Sequence, residues 1–255
     1  MMSETKKFLK SFLYLIAGII ISLIALFILF PKLYEIASYI TIHGLLATLL
    51  LTALGLISGF ALGITLALMR IYGATELRWL ASGYEKLLRG IPILVLIYIF
   101  LYGTPGLFFY IDLRYRPIAG VVLALGLRSA AYQSQIFRGA ILSVSSGQIE
   151  AARALGMTVS QSFRHIVMPQ ALRLALPAWT NEYAVVIKDS SFAYGVGIVE
   201  MTKAGYDFGV AFRELWAVSL GVVTILYFIF TFPITRLFGE YQNKKLKKLG
   251  MGGGS

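Results

Sequence analysis

Long apolar runs separated by short charged connections organise the chain, and their lengths predict six membrane-spanning helices. About 20 apolar residues at 1.5 Å per residue cross the ~30 Å hydrocarbon core of a bilayer. The first run, residues 12–30, follows Lys6, Lys7 and Lys10. It is longer than a signal-peptide core and ends in bulky Leu26 to Phe30, so a membrane helix is favoured over a cleaved signal. A second span is predicted from about Thr41 to Met69. A third runs from Tyr84 to Tyr102, where Pro92 produces either a kink or a late helix start. The fourth covers Pro117 to Leu142, and the fifth covers Leu174 to Val199 with a break at Gly195 and Gly197. The sixth covers Leu215 to Thr235. Gly55, Gly59 and Gly63 recur every four residues, so they share one helix face and admit another helix closely, as a static seam or as a sliding face.

Composition agrees with this pattern. Of 255 residues, 58% are hydrophobic and 14% charged, against roughly a quarter charged in a soluble domain. The class is therefore an all-α integral membrane protein, since the runs are too long and too uniformly apolar for barrel strands. The net charge is +11. With six spans, sixteen Lys and Arg lie on the side of the amino terminus and five on the other, while Arg128 and Lys188 fall within the membrane. That asymmetry puts both termini of a multi-pass cell-membrane protein in the cytoplasm. The basic charge is then topology and contact with anionic membrane lipid, and no nucleic-acid partner is expected. The absence of cysteine excludes a disulfide framework, and His43 and His165 stand too far apart in sequence to suggest a metal centre.

One polar island interrupts the apolar pattern, over residues 145–170. Ser145 with Gln148, and Thr158 with Gln161, each fit a capping box. Gly156 supplies a left-handed stop, and Pro169 limits the second helix. Two short helices joined by a Gly156-Met157-Thr158 corner are expected. The first keeps a low profile at Ala151, Ala152 and Leu155 beside Glu150 and Arg153, and the second lines up Val159, Phe163, Ile166 and Val167. Spacing alone fits a docking surface for a partner, and equally a hairpin resting on its own bundle or on the membrane.

Glu150-Ala151-Ala152, Gly156 four residues after the second alanine, then Ile166 and Pro169 resemble the EAA loop of permease subunits of bacterial and archaeal ATP-binding-cassette (ABC) importers. Met168 stands where the family has leucine, a swap of similar volume. The resemblance covers about His43 to Met201. Leu88-Arg89-Gly90-Ile91-Pro92, Ala131-Tyr132 through Arg138-Gly139, Gly147-Gln148, Pro169-Gln170-Ala171 and Lys188-Asp189-Ser190-Ser191 resemble its polar amino acid branch, of the histidine, glutamine and arginine type. Gln135 stands where that branch has glutamate, and Ser190-Ser191-Phe192 replaces Thr-Ser-Leu.

The resemblance implies a five-helix type I importer core over residues 41–240, with a cytoplasmic coupling loop at 145–170. Residues 1–40, with the extra helix, precede it, and a basic tail with a linker or tag scar, 241–255, follows. It also implies ABC ATPase subunits holding ATP and Mg, a second permease copy or paralogue, and an extracytoplasmic solute-binding protein that delivers an amino acid. Glu150, Ala151, Ala152, Arg153 and Gly156 are then the expected ATPase-coupling residues. The chain contains no G-x-x-x-x-G-K-[ST] phosphate loop, so ATP hydrolysis belongs to another chain and this one is neither an enzyme nor a cofactor carrier.

Arg128 lies about 11 residues inward from Pro117, and Asp189 about 10 from Val199, so both sit ~15 Å inside their helices. Each charge costs ~2.5–3.5 kcal/mol at mid-membrane, which turns both toward the bundle interior or a wet cavity. Lys188 points about 100° from Asp189 on a helix and is a poor partner for it. An Arg128 to Asp189 pair is the expectation. It reads either as a tie between two helices or as part of a polar cavity for a zwitterion, with Tyr132, Gln135, Lys188 and Ser190 as further cavity candidates. The other functional readings are an importer permease for another small polar solute, an ion-gradient-driven transporter, which lacks an internal repeat, and a membrane enzyme, which lacks any catalytic motif.

Overall fold

The computed structural model describes residues 31–238 together with residues 10, 13, 14, 17, 18, 21 and 22. The expected first span, 12–30, lies mostly outside the described residues, and the tail, 241–255, lies wholly outside them. Every regular element among the described residues is helical.

Helix α1 (Pro31–Ile40) continues through a π turn, Thr41–Leu45, into α2 (Leu46–Tyr72), giving one 42-residue helix. It starts about ten residues before the expected second span. Lys32 and Glu35 break the apolar run, yet Ile36, Ala37 and Ile40 are buried on the inner face. The π turn falls where Gly44 meets another backbone: a Cβ on Gly44 would lie 2.6 Å from Met201 N.

Helices α3 (Thr75–Gly90) and α4 (Ile93–Tyr98), the latter extended by a π turn to Gly103, diverge by 106°. The expected third span is therefore not one helix. Pro92 forces Ile91 into extended geometry, φ −97° and ψ 130°, and the chain turns there.

Helix α5 (Arg116–Leu142) leads to the short α6 (Ser146–Ala154) and then α7 (Val159–Ser162). Pro169 does not end α7 as expected. The helix passes through a π turn, Phe163–Val167, directly into α8 (Met168–Asp189). A π turn shifts the hydrogen-bond register just ahead of Pro169, which then occupies the first turn of α8, where a missing N–H is tolerated. A 3-10 segment (Ser190–Val196), α9 (Met201–Ala211) and α10 (Trp216–Pro233) complete the described chain.

Among the described residues, Pro31–Tyr72 and Arg213–Arg236 are long and apolar enough to cross a membrane, and the bent α3–α4 pair makes a third candidate. Helices α5 and α8, with 27 and 22 residues, are long enough but less apolar. They carry the polar side chains of the interior. The glycine seam of α2 receives α5: built Cβ atoms on Gly55, Gly59 and Gly63 would lie 3.0, 2.9 and 2.9 Å from the Cβ atoms of Leu125, Ser129 and Gln133. The paired residue numbers ascend together along both helices, so the two run parallel. A second core of Ile36, Ile40, Met201, Phe208 and Val223 ties α1 to α9 and α10. A third, including Phe137, Ile141, Val167 and Ala171, sits beneath the polar loop.

Candidate functional site

Helix α5 turns a polar stripe toward α8. Arg128 forms an ion pair with Asp189, and the two side chains are 16% and 15% exposed, so the pair is sheltered but not sealed off. Seven residues earlier on α8, two turns and ~10 Å away on the same face, Glu182 is buried and accepts from Ser129 Oγ at 2.7 Å. Ser129 Oγ in turn accepts from Gln133 Nε2 at 3.0 Å, and the same amide donates to Leu56 O at 3.2 Å. Gln133 Oε1 accepts from Trp179 Nε1 at 2.8 Å. This chain of bonds joins α8, α5 and α2 through a layer where an unpaired polar atom would be costly. The glycine seam permits it, because a side chain on Gly59 would occupy the space of Ser129 and Gln133.

Tyr132 lies one turn from Arg128. Its ring carries the Arg128 guanidinium at 4.8 Å and that of Arg89, from the last turn of α3, at 5.0 Å. Two cations on one ring hold the end of α3 against α5. Gln135 belongs to a different cluster. Its Nε2 donates to Glu85 Oε2 at 3.1 Å, beside Ser134 Oγ on Oε1 at 2.7 Å and Arg70 Nη1 at 3.4 Å.

The structure thus brings together Arg128, Tyr132 and Asp189 from the expected cavity residues. Gln135 faces Glu85 instead, Lys188 is exposed, and buried Ser190 donates back to Ile187 O at 2.7 Å. Glu182, Ser129, Trp179 and Glu85 were not singled out from sequence, and Gln133 and Arg89 were not among the expected cavity residues. The seven-residue spacing from Glu182 to Asp189 was the one available signal.

On the polar loop, Ser145 makes no side-chain cap, and Gln148 Oε1 instead accepts from Gln170 Nε2 at 2.5 Å, tying α6 to the start of α8. The first expected capping box is therefore absent, because Gln148 is drawn to a tertiary partner. The second, Thr158 with Gln161, is formed. Gly156 has φ +81°. Its N–H bonds Arg153 O at 2.9 Å and that of Met157 bonds Ala152 O at 3.1 Å, which closes α6 with a Schellman motif. Ala152 is buried and Ile149 packs on the core below, while Glu150, Ala151, Arg153, Leu155 and Gly156 are exposed. The loop rests on its own bundle by one side and leaves the other open.

Residues 59–248 match the family described as the inner membrane component of binding-protein-dependent transport systems. The chain belongs to this family. The permease is 40% identical over 196 residues to the nopaline transport system permease protein of Agrobacterium fabrum, covering 74% of this chain and 81% of that protein. It is 34% identical over 204 residues to an L-cystine transport system permease protein of Bacillus subtilis, covering 79% and 84%. With the glutamine transport system permease protein of Escherichia coli the identity is 32% over 199 residues, covering 77% and 90%. These relatives are transport permeases rather than enzymes. Among solved structures, a chain of an amino acid ABC transporter with histidines superposes with a TM-score of 0.72 at 29% identity, covering 84% of this permease and 98% of that chain. A chain of an inward-facing methionine ABC transporter shares the fold, with a TM-score of 0.62 at 22% identity over 80% and 96%. The side chains of the polar layer and the loop all fall inside residues 59–248.

Proposed function

We propose that this permease serves an ATP-driven importer of polar amino acids and receives its substrate at the Arg128–Asp189 pair between α5 and α8. The observation that carries the reading is a largely buried but still accessible pair of opposite charges with a second carboxylate, Glu182, two turns away. An amino acid brings one charge of each sign. Arg128 offers a bidentate fork to the α-carboxylate, and Asp189 or Glu182 accepts from the ammonium. The substrate exchanges its charges for those of the pair, so no ion is left uncompensated in a poorly hydrated site. The relatives' names for nopaline, cystine and glutamine systems support an amino-acid cargo. Uptake into vesicles by the assembled transporter tests this. Arg128→Ala should cut uptake about tenfold or more, the scale of one charged hydrogen bond, while the complex assembles normally. Equal loss of uptake and assembly would reduce the pair to a helix tie.

The same reading has six spans with both termini in the cytoplasm, an ABC importer domain over 41–240 between the segments 1–40 and 241–255, and a second permease copy or paralogue. ABC ATPase subunits, which would hold ATP and Mg, take the open side of α6 at Glu150, Ala151, Arg153 and Gly156, while Ala152 anchors that helix inward. An extracytoplasmic binding protein delivers the substrate. Residues 159–189 are helical without interruption, through the π turn and Pro177, a contour of roughly 45 Å, with the loop at one end and Asp189 at the other. Movement of a docked ATPase would reach the substrate layer along that segment as a rigid-body shift.

A further inference from the structure

We propose that α3 is a membrane-surface helix whose outer side binds anionic phospholipid. Three observations converge on it. First, α3 turns 106° away from the charge-free segment Ile93–Gly103 that enters the bundle, so it runs close to the membrane plane when that segment runs across it. Second, its inner face is anchored, since Ala81, Glu85 and Leu88 are buried against α2 and α5. Its outer face is open and apolar, with Trp79, Leu80 and Leu87 exposed by 74%, 66% and 60%.

Third, the outer face is sorted by chemistry. At 100° per residue, Leu80 and Leu87 form one flank, which begins at Glu76 in the first turn, Gly83 and Gly90 form the middle strip, and Trp79 and Lys86 follow. Arg89 and Arg78 form the far flank. Built Cβ atoms on Gly83 and Gly90 meet nothing within 4 Å, so the middle strip is a shallow open channel. The exposed cations are Arg78, Lys86 and Arg89, against the single exposed acid Glu76. Arg78 Nε is held by Gly73 O at 2.8 Å and Arg89 lies over Tyr132, while Lys86 makes no ion pair among the described residues.

A lipid matches this order from end to end. Acyl chains lie along the leucine flank, Trp79 sits at the ester level, and the phosphate meets Lys86, with Arg78 on the flank beyond it. A second copy of the chain fits less well, because a two-fold contact through this face would set α3 cations against α3 cations.

The chain has no cysteine, so single-cysteine variants of the full transporter in vesicles can carry bimane at Leu80→Cys, Gly83→Cys, Lys86→Cys or Leu87→Cys. Nitroxides on lipid acyl chains should quench positions 80 and 87, and aqueous iodide should quench position 86. Bimane at position 83 should be quenched about fivefold more strongly by headgroup-labelled phosphatidylglycerol than by the phosphatidylcholine analogue, and Lys86→Gln should remove that preference. Quenching of all four positions by iodide, or of none by either agent, overturns the lipid surface in favour of water or a covering protein. Equal quenching by the two headgroups overturns its anionic selectivity.

Discussion

Gln135 and Glu85, 50 residues apart, share a hydrogen bond of 3.1 Å from the amide Nε2 to the carboxylate Oε2. Glu85 is almost wholly buried, and its other partners, Ser134 Oγ and Arg70 Nη1, also donate to it. A donor at position 135 completes this set. Where glutamate stands in the branch that the sequence resembles, this chain needs an amide, because a second carboxylate would face the first.

Gln135→Glu should therefore lower the thermal stability of the assembled transporter by roughly 1–3 kcal/mol, the cost of a buried group losing its donor. Adding Glu85→Gln exchanges donor and acceptor across the same contact and should recover much of the loss. A double-mutant cycle with no coupling between the two positions would rule the contact out as the cause.

Two glycines should respond oppositely to alanine. At Gly59 a Cβ would lie 2.8 Å from Gln133 Nε2 and 2.9 Å from Ser129 Cβ, and the seam has no slack. Gly59→Ala is expected to cost ~1–3 kcal/mol by overpacking and to lower uptake by displacing the Ser129–Glu182 bond. At Gly83 the space is open, and Gly83→Ala should stabilise α3 by up to ~1 kcal/mol. Melting curves of the two purified variants decide the matter.

Gly156→Val places a β-branched residue at φ +81° and breaks the closing turn of α6. The bundle itself is untouched. Membrane insertion should be normal while the ATPase no longer co-purifies, and a complex recovered at the usual yield would show that α6 is not the docking element.

Glu182→Gln keeps the shape of the side chain and an oxygen for Ser129, whose bond is 2.7 Å. Only the charge is removed. Assembly should be unchanged and uptake should fall about tenfold, as expected for losing one charged partner of an ammonium. Uptake at the wild-type rate would assign Glu182 to packing alone.

Some features were legible without any contact. The glycine seam followed from a four-residue period, the stop at Gly156 from the steric freedom that a left-handed φ demands, and the shared level of Arg128 and Asp189 from counting residues. The Arg128–Asp189 pair followed because two charges at one depth in an apolar bundle have few other partners. The loop was half legible. Thr158 and Gln161 cap as expected because their bond closes within three residues. Gln148 does not, since Gln170 lies within its reach in space.

The sequence by itself determined the all-helical membrane class, the positions of α5 and α10, the seam and the polar loop, all of which depend on local periodicity or backbone sterics. Tertiary structure alone decided that Pro92 turns the chain by 106° while Pro169 is passed. It alone joined Glu182 to Ser129 and Gln135 to Glu85. A proline's effect depends on whether a neighbouring turn can shift register to accept it. A buried polar atom bonds to whichever partner the packed helices bring within about 3 Å, and no periodicity in a single chain encodes that meeting.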